Sequence, residues 1–131
     1  TSSKFSVIML DIDNFKSIND KFGHNAGDLV LKSLSETIKD RIRKIDIFAR
    51  WGGEEFVILL PETTPQKASI LAEEIRVRLS NLKIEDINGI TVSCGIAGYR
   101  QGDSVDSLIE RADNLMYEAK AVGKNCVRYE E

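Results

Sequence analysis

Two pairs of acidic residues in this chain are spaced so that a cation could sit between them. Asp11 and Asp13 follow an apolar run, and Glu54 and Glu55 follow Gly52 and Gly53. Carboxylates are hard oxygen donors. One from each segment, with a backbone carbonyl such as that of Ile12, suits Mg²⁺, whose octahedron water and phosphate oxygens would complete. Without a cation or solvent, adjacent acids at a loop tip are costly. Lys16 stands beside the first pair, and the free N–H groups near Asn14, Phe15 and Lys16 at a helix start suit a phosphate. Taken singly, Asp11 or Asp13 reads more simply as a helix cap, and Lys16 as a solvated surface charge. With the Gly-Gly-Glu-Glu run added, the group reads as a metal-and-phosphate site, and Asp13 is a candidate further ligand.

Several elements must position these residues. The segment 5–10 is an almost unbroken apolar run, expected of a central strand buried on both faces, and it ends at Asp11. A short helix over 15–22 closes at Gly23. Leu31, Leu34, Ile38 and Ile42 recur at helical spacing, which predicts an amphipathic helix from 25 to about 43. Strand-like runs at 46–51 and 56–60 flank the glycines, so they predict a β-hairpin whose turn is Gly52-Gly53. Thr63 and Gln66 form an expected capping box for a helix with the stripe Ala68, Leu71, Ala72, Ile75 and Leu79. Ile90, Val92, Cys94 and Ile96 alternate as in a strand. A last long helix carries Val105, Leu108, Ile109, Ala112, Leu115, Met116 and Ala119, stops at Gly123 and precedes an edge strand over 126–129. This order predicts one α/β (α+β) sandwich on a ferredoxin-like βαββαβ core. In that topology Asp11 and Glu54 lie at neighbouring strand ends.

Composition narrows the functional classes. A chain of 131 residues fits one domain over the range 1–131, and 42% hydrophobic with 30% charged residues is neither disordered nor membrane-embedded. The longest apolar runs are too short to span a bilayer. A formal net charge of −3 argues against a nucleic-acid binder, so an anionic substrate needs local lysines or metal. Cys94 and Cys126 lack metal-ligand spacing and read as buried thiols of a cytoplasmic protein rather than a disulfide.

The runs Asp11-Ile12-Asp13-Asn14-Phe15-Lys16-Ser17-Ile18-Asn19-Asp20 and Phe22-Gly23-His24-Asn25-Ala26-Gly27-Asp28 strongly resemble the GGDEF family of diguanylate cyclases. Gly52-Gly53-Glu54-Glu55-Phe56 is an accepted form of its name motif, and Ala119-Lys120 with Gly123-Lys124-Asn125 is similar to its C-terminal lysine segment. The resemblance implies a palm core as in nucleotide cyclases, with an extra helix and edge strand. It also implies a reaction in which two GTP condense to cyclic di-GMP and two pyrophosphates, in a homodimer with one GTP per subunit. Asp11, Glu54 and the Ile12 carbonyl would hold Mg²⁺, with Mn²⁺ an alternative, and Glu54 would accept the ribose 3′-hydroxyl proton. Lys16, Lys120 and Lys124 would face the phosphates beside Phe15, Gly52 and Gly53. Many relatives have arginine where this chain has Lys124, and lysine loses the bidentate fork. Asn19 and Asp28 would select guanine, since a carboxylate accepts from both N1–H and N2–H₂ and adenine offers no such pair. Asp28 thereby argues against an ATP-accepting enzyme. His24, the only histidine, matches a substrate-side position but also suits a structural hydrogen-bonder.

Arg43 and Asp46 fit the family's RxxD inhibitory motif, which implies product inhibition by cyclic di-GMP. Read plainly, they are a helix C-terminal cation and a strand-start acid. A second arginine usual on the following helix is replaced by Glu74. An Asp-x-Leu-Thr-Gly-Leu-x-Asn-Arg segment usual before the first strand is missing, so the expectation is a domain from a longer parent, soluble or membrane-anchored, with no membrane contact of its own. The alternative function is a non-catalytic cyclic di-GMP receptor acting through Arg43 and Asp46.

Overall fold

The computed structural model describes residues 4–131. Strand β1 (Phe5–Ile12) leads into α1 (Phe15–Phe22) and α2 (His24–Arg41). Strands β2 (Ile47–Gly52) and β3 (Glu55–Pro61) form the hairpin, and α3 (Pro65–Ser80) follows. A small ribbon, β4 (Lys83–Ile84) and β5 (Ile87–Asn88), precedes β6 (Val92–Gly98), α4 (Val105–Ala121) and β7 (Val127–Tyr129). The main sheet has the order β2-β3-β1-β6-β7, with β1 antiparallel to β3 and β6, and β7 parallel to β6. This is the expected βαββαβ palm arrangement, with α1, α4 and β7 as additions.

Alternation along β1 explains why it anchors the molecule. Ile8, Leu10 and Ile12 face α2 and α3, where Val30, Leu34, Ile38, Ala72, Ile75 and Leu79 close the larger core. Val7 and Met9 face α4 and meet Leu108, Ala112 and Met116. Full burial of each such large aliphatic side chain contributes about 1.5–3 kcal/mol. Both faces are covered, so β1 is firmly held, and Asp11 rides at its end.

Local chemistry shifts three details from expectation. The hairpin turn is Gly53-Glu54, because the β2–β3 register slips between Arg50 and Gly52 and leaves Trp51 bulged. Gly53 has φ +47°, which glycine adopts freely, and Arg50 Nε donates to its carbonyl at 2.7 Å. The N-cap of α3 is Thr64 rather than Thr63, its hydroxyl accepting from Lys67 N at 3.3 Å. Pro65 takes the first helical position, where its missing N–H costs nothing, and this sets the cap one residue later than the Thr63–Gln66 spacing implied. Thr63 instead donates to the Pro61 carbonyl at 2.8 Å. The β4–β5 ribbon was not expected; its two buried isoleucines, Ile84 and Ile87, join the larger core. Among the described residues no helix is long and apolar enough to cross a membrane, and Cys94 (buried) and Cys126 (half-buried) are free thiols.

Candidate active site

The register places Asp11 opposite Glu55 on one side and Ser93 on the other. By the two-residue period of a strand, Asp11 and Glu55 project to the α4 face with Val7 and Met9. There Lys120, in the last turn of α4, reaches Asp11 Oδ2 at 2.7 Å. Asp11 is only 5% exposed, and its other oxygen, Oδ1, is buried with no hydrogen-bond partner. Burial raises the Asp11 pKa, the Lys120 bond and charge offset only part of that, and Asp13 adds to the rise. Burial pulls the Lys120 ammonium down, but the Asp11 bond and the charges of Asp11, Asp13 and Glu54 prevail, and its pKa is raised.

The hairpin tip is docked onto this strand end, since Ile12 N donates to the Glu54 carbonyl at 3.3 Å. Glu54 is held above the usual carboxylate range by burial and then by Asp11. Glu55 is raised by burial, then by Asp113 and Asp11, and Asp113 by burial and Asp11. Asp113 therefore belongs to this acidic group, although it was not among the residues the sequence singled out. Its one signal is position: it lies two helical turns before Lys120 on the same helix. Among the described residues no three carboxylate, histidine or cysteine side chains form a ready-made metal cage. The residues nevertheless fit a divalent cation. A buried, partnerless carboxylate oxygen and three further acids disfavoured as anions are hard donors in surplus, with one ammonium against them.

Three residues beyond Asp11, Asn14 stands at the N-cap position of α1 with φ 56° and makes no side-chain cap. The first N–H groups of the helix thus have no intrahelical partner. Phe15 packs against the larger core, Lys16 is exposed on the first turn, and Lys124 Nζ donates to Asn14 Oδ1 at 2.7 Å. Asp13 is neither cap nor open ligand. It is 3% exposed and accepts from Thr91 Oγ1 at 2.8 Å, Ser93 Oγ at 2.6 Å and Asn125 N at 2.9 Å. Three donors from two other segments occupy its oxygens, so it ties β1 to β6 and to the loop after α4.

Asn19 is half-buried, with its side chain laid against Gly27 of α2. A Cβ at Gly27 would meet Asn19 Oδ1 at 1.8 Å, so only glycine admits that amide. Asp28, next to Gly27, is exposed, as are His24 at the start of α2 and both hairpin glycines. Away from these residues, Arg43 and Asp46 line a groove of about 310 Å³ with Arg41, Glu62, Lys67 and Glu74. Asp46 accepts from Arg43 Nη2 at 2.7 Å and from the Arg43 backbone N–H at 2.7 Å, and Arg43 Nη2 also donates to the Pro61 carbonyl at 2.9 Å. Glu74 is ion-paired with Arg41.

Comparison with known proteins identifies the family and the fold. The family model described as diguanylate cyclase, GGDEF domain, matches residues 1–126. Diguanylate cyclase DgcM of Escherichia coli K12 is 45% identical over 123 residues, covering 94% of this chain and 30% of that protein. Response regulator PleD of Caulobacter vibrioides is 40% identical over 128 residues, covering 93% of this chain and 28% of that protein. The chain thus spans less than a third of the length of these relatives. The GGDEF domain of DgcB from Caulobacter crescentus, solved in complex with c-di-GMP, superposes with a TM-score of 0.91 at 37% identity, covering 97% of this chain and 78% of that one. The active GGEEF domain of a diguanylate cyclase from Vibrio cholerae gives a TM-score of 0.92 at 37% identity, covering 98% and 83%. With a docked Gly-Gly-Glu-Glu-Phe tip beside Asp11 and a match over nearly its whole length, the chain belongs to the GGDEF-domain family of diguanylate cyclases.

Proposed function

We propose that the chain is a cytoplasmic catalytic domain that condenses two GTP into cyclic di-GMP and two pyrophosphates, dependent on Mg²⁺ and active as a homodimer. The observation that carries this reading is the buried, partnerless Asp11 Oδ1 at the end of β1, where the hairpin tip is bonded to Ile12, three residues before the uncapped start of α1. Asp11, Glu54 and the Ile12 carbonyl would hold the cation, with Glu55 on the same face as Asp11. When bound, Mg²⁺ supplies charge neutralisation at the α-phosphate and acidifies the attacking hydroxyl.

The chain's own groups do the rest. Lys16, Lys120 and Lys124 hold the phosphates, the α1 N–H groups add hydrogen bonds, and exposed Gly52 and Gly53 let them come close to the backbone. Lys120 must then share its ammonium between Asp11 and phosphate. Asn19, held in place by Gly27, and Asp28 read the guanine edge, and His24 lies beside them at the start of α2. Glu54 takes the proton from the 3′-hydroxyl; its raised pKa makes it a stronger base than an ordinary glutamate. A bond forms between that oxygen and the α-phosphorus of the facing GTP, and the bond to pyrophosphate breaks. One subunit offers one such site, so two must face each other around a two-fold axis. The Arg43–Asp46 groove is the candidate inhibitory site for cyclic di-GMP, with Arg41 rather than a residue of α3 as its second arginine.

Incubation of the chain with Mg²⁺ and GTP or ATP, followed by chromatographic identification of products, tests the reading. Cyclic di-GMP from GTP alone is expected, with at least a roughly hundredfold loss in Glu54→Gln. Cyclic di-GMP binding without turnover, abolished by Arg43→Ala, would instead mark a receptor that uses the preformed Arg43–Asp46 pair.

A further inference from the structure

Lys124 and Asn125, adjacent in the loop between α4 and β7, both adopt left-handed backbone conformations, with φ 65° and 49°. Neither is glycine, so this shape persists only because its surroundings impose it. The anchors come from three elements. Lys124 N donates to the Ala119 carbonyl of α4 at 2.9 Å. Asn125 N donates to Asp13 Oδ2 after β1 at 2.9 Å, and Asn125 Oδ1 accepts from Arg76 Nη1 of α3 at 2.9 Å. Arg76 is itself oriented by Glu73, through Nε at 2.7 Å and Nη2 at 2.5 Å. This loop delivers the Lys124 ammonium to Asn14 Oδ1, at the uncapped start of α1.

We propose that Arg76 and Asp13 are positioning residues for Lys124, fixing the loop so that its ammonium stands where the terminal phosphates of GTP arrive. This inference rests on GTP as the substrate, as proposed above. Neither residue is free to touch phosphate, because Asp13 is occupied by three donors and the Arg76 fork by Glu73 and Asn125. They act by preorganisation: a long, flexible lysine on an unanchored loop would have to be ordered at each binding event.

Binding of GTP and of GMP, both with Mg²⁺, is measured by calorimetry for the wild type, Arg76→Met, Lys124→Met and the double variant. GMP lacks the phosphates that Lys124 would meet. GTP should bind about tenfold more weakly to Lys124→Met, and about three- to tenfold more weakly to Arg76→Met, with GMP unchanged within about twofold. The double variant should be no weaker than Lys124→Met alone, since both changes remove one interaction. Asn125→Gly, which takes the left-handed conformation freely, should restore most of the GTP affinity of Arg76→Met. Asp13→Asn leaves α3 intact and should reproduce the GTP-selective loss, with unfolding temperatures confirming that every variant is folded. Equal weakening of GTP and GMP, additive losses in the double variant, or no loss in Arg76→Met overturns the positioning role while leaving the substrate reading intact. A folded wild type that binds neither nucleotide overturns both.

Discussion

The two halves of α4 solve the problem of charge in opposite ways. Near its start, Arg111 donates to Asp103 Oδ1 at 2.5 Å, Glu130 Oε2 at 2.9 Å and the Gly98 carbonyl at 2.6 Å. Gly98 N returns a bond to Glu130 Oε1 at 2.9 Å, and Arg100 N bonds Asp103 Oδ2 at 2.7 Å. Each charge in that network has its complement, and the Arg111 bond, helped by Arg100 N, pulls the Asp103 pKa down to about 2. In the last turn of the same helix, Lys120 faces Asp11, Glu54 and Glu55, Asp113 adds its charge beside Asp11 and Glu55, and all four acids are pushed up. A closed network pins the C-terminal segment to the sheet. An open one, with a buried oxygen unpaired, is held ready for a ligand. Asp11 and Asp13 repeat the contrast within one strand end, the first short of donors and the second saturated.

Substitution should separate the two ends clearly. Asp11→Asn should abolish the stabilisation by Mg²⁺ while leaving metal-free stability equal or higher, because it removes an ionised group that the fold disfavours. Lys120→Met should cost about 1–2 kcal/mol without Mg²⁺, less than a fully buried pair would lose, because solvent reaches the lysine. Added Mg²⁺ should recover much of that loss. Urea unfolding with and without Mg²⁺ reads both effects, and a metal-free Asp11→Asn far less stable than the wild type would show that Asp11 is mainly structural. Arg111→Met should also destabilise, but by the same amount whether or not Mg²⁺ is present, since its partners lie in the other half of the helix. A loss that Mg²⁺ repairs at Arg111 would erase the distinction.

What the sequence disclosed, and what it withheld, follows from the range of each interaction. Strand β1 was legible because burial on both faces leaves an unbroken apolar run, and α2, α3 and α4 because their stripes repeat at helical spacing. The hairpin was legible from its flanking strands, yet its turn moved by one residue because a bulge at Trp51 carries no sequence mark. The β4–β5 ribbon is too short for alternation to register. At the site, Asp11 and the glycine-rich tip stood out by type and spacing. Asp113 did not, because its place depends on how α4 packs across β6 and β1. Asp13 resembled a ligand or a cap, and only the tertiary fold shows its donors arriving from Thr91, Ser93 and Asn125.

A smaller effect, on the pH dependence of stability, sharpens the comparison further. Asp103 has a folded pKa below its unfolded value of 3.8, so its contribution is present above about that pH and is lost as pH falls towards 2. Asp11, Glu54, Glu55 and Asp113 have folded values above their ordinary ones, so their ionised forms oppose folding at neutral pH. That opposition is relieved as pH falls through the raised values towards the unfolded ones. The metal-free chain should therefore gain unfolding temperature as pH falls from neutral towards the ordinary carboxylate values. The gain should shrink when Mg²⁺ is present, since a bound cation relieves the same repulsion at neutral pH. Below pH 4 both forms should lose stability, and Asp103→Asn should flatten that acid limb without altering the rise above it. Scanning calorimetry across this range, with and without Mg²⁺, checks both limbs. A metal-free profile with no rise anywhere between neutral pH and the ordinary carboxylate values would mean that the four acids are neutralised in the fold, and the contrast between the two halves of α4 would fail.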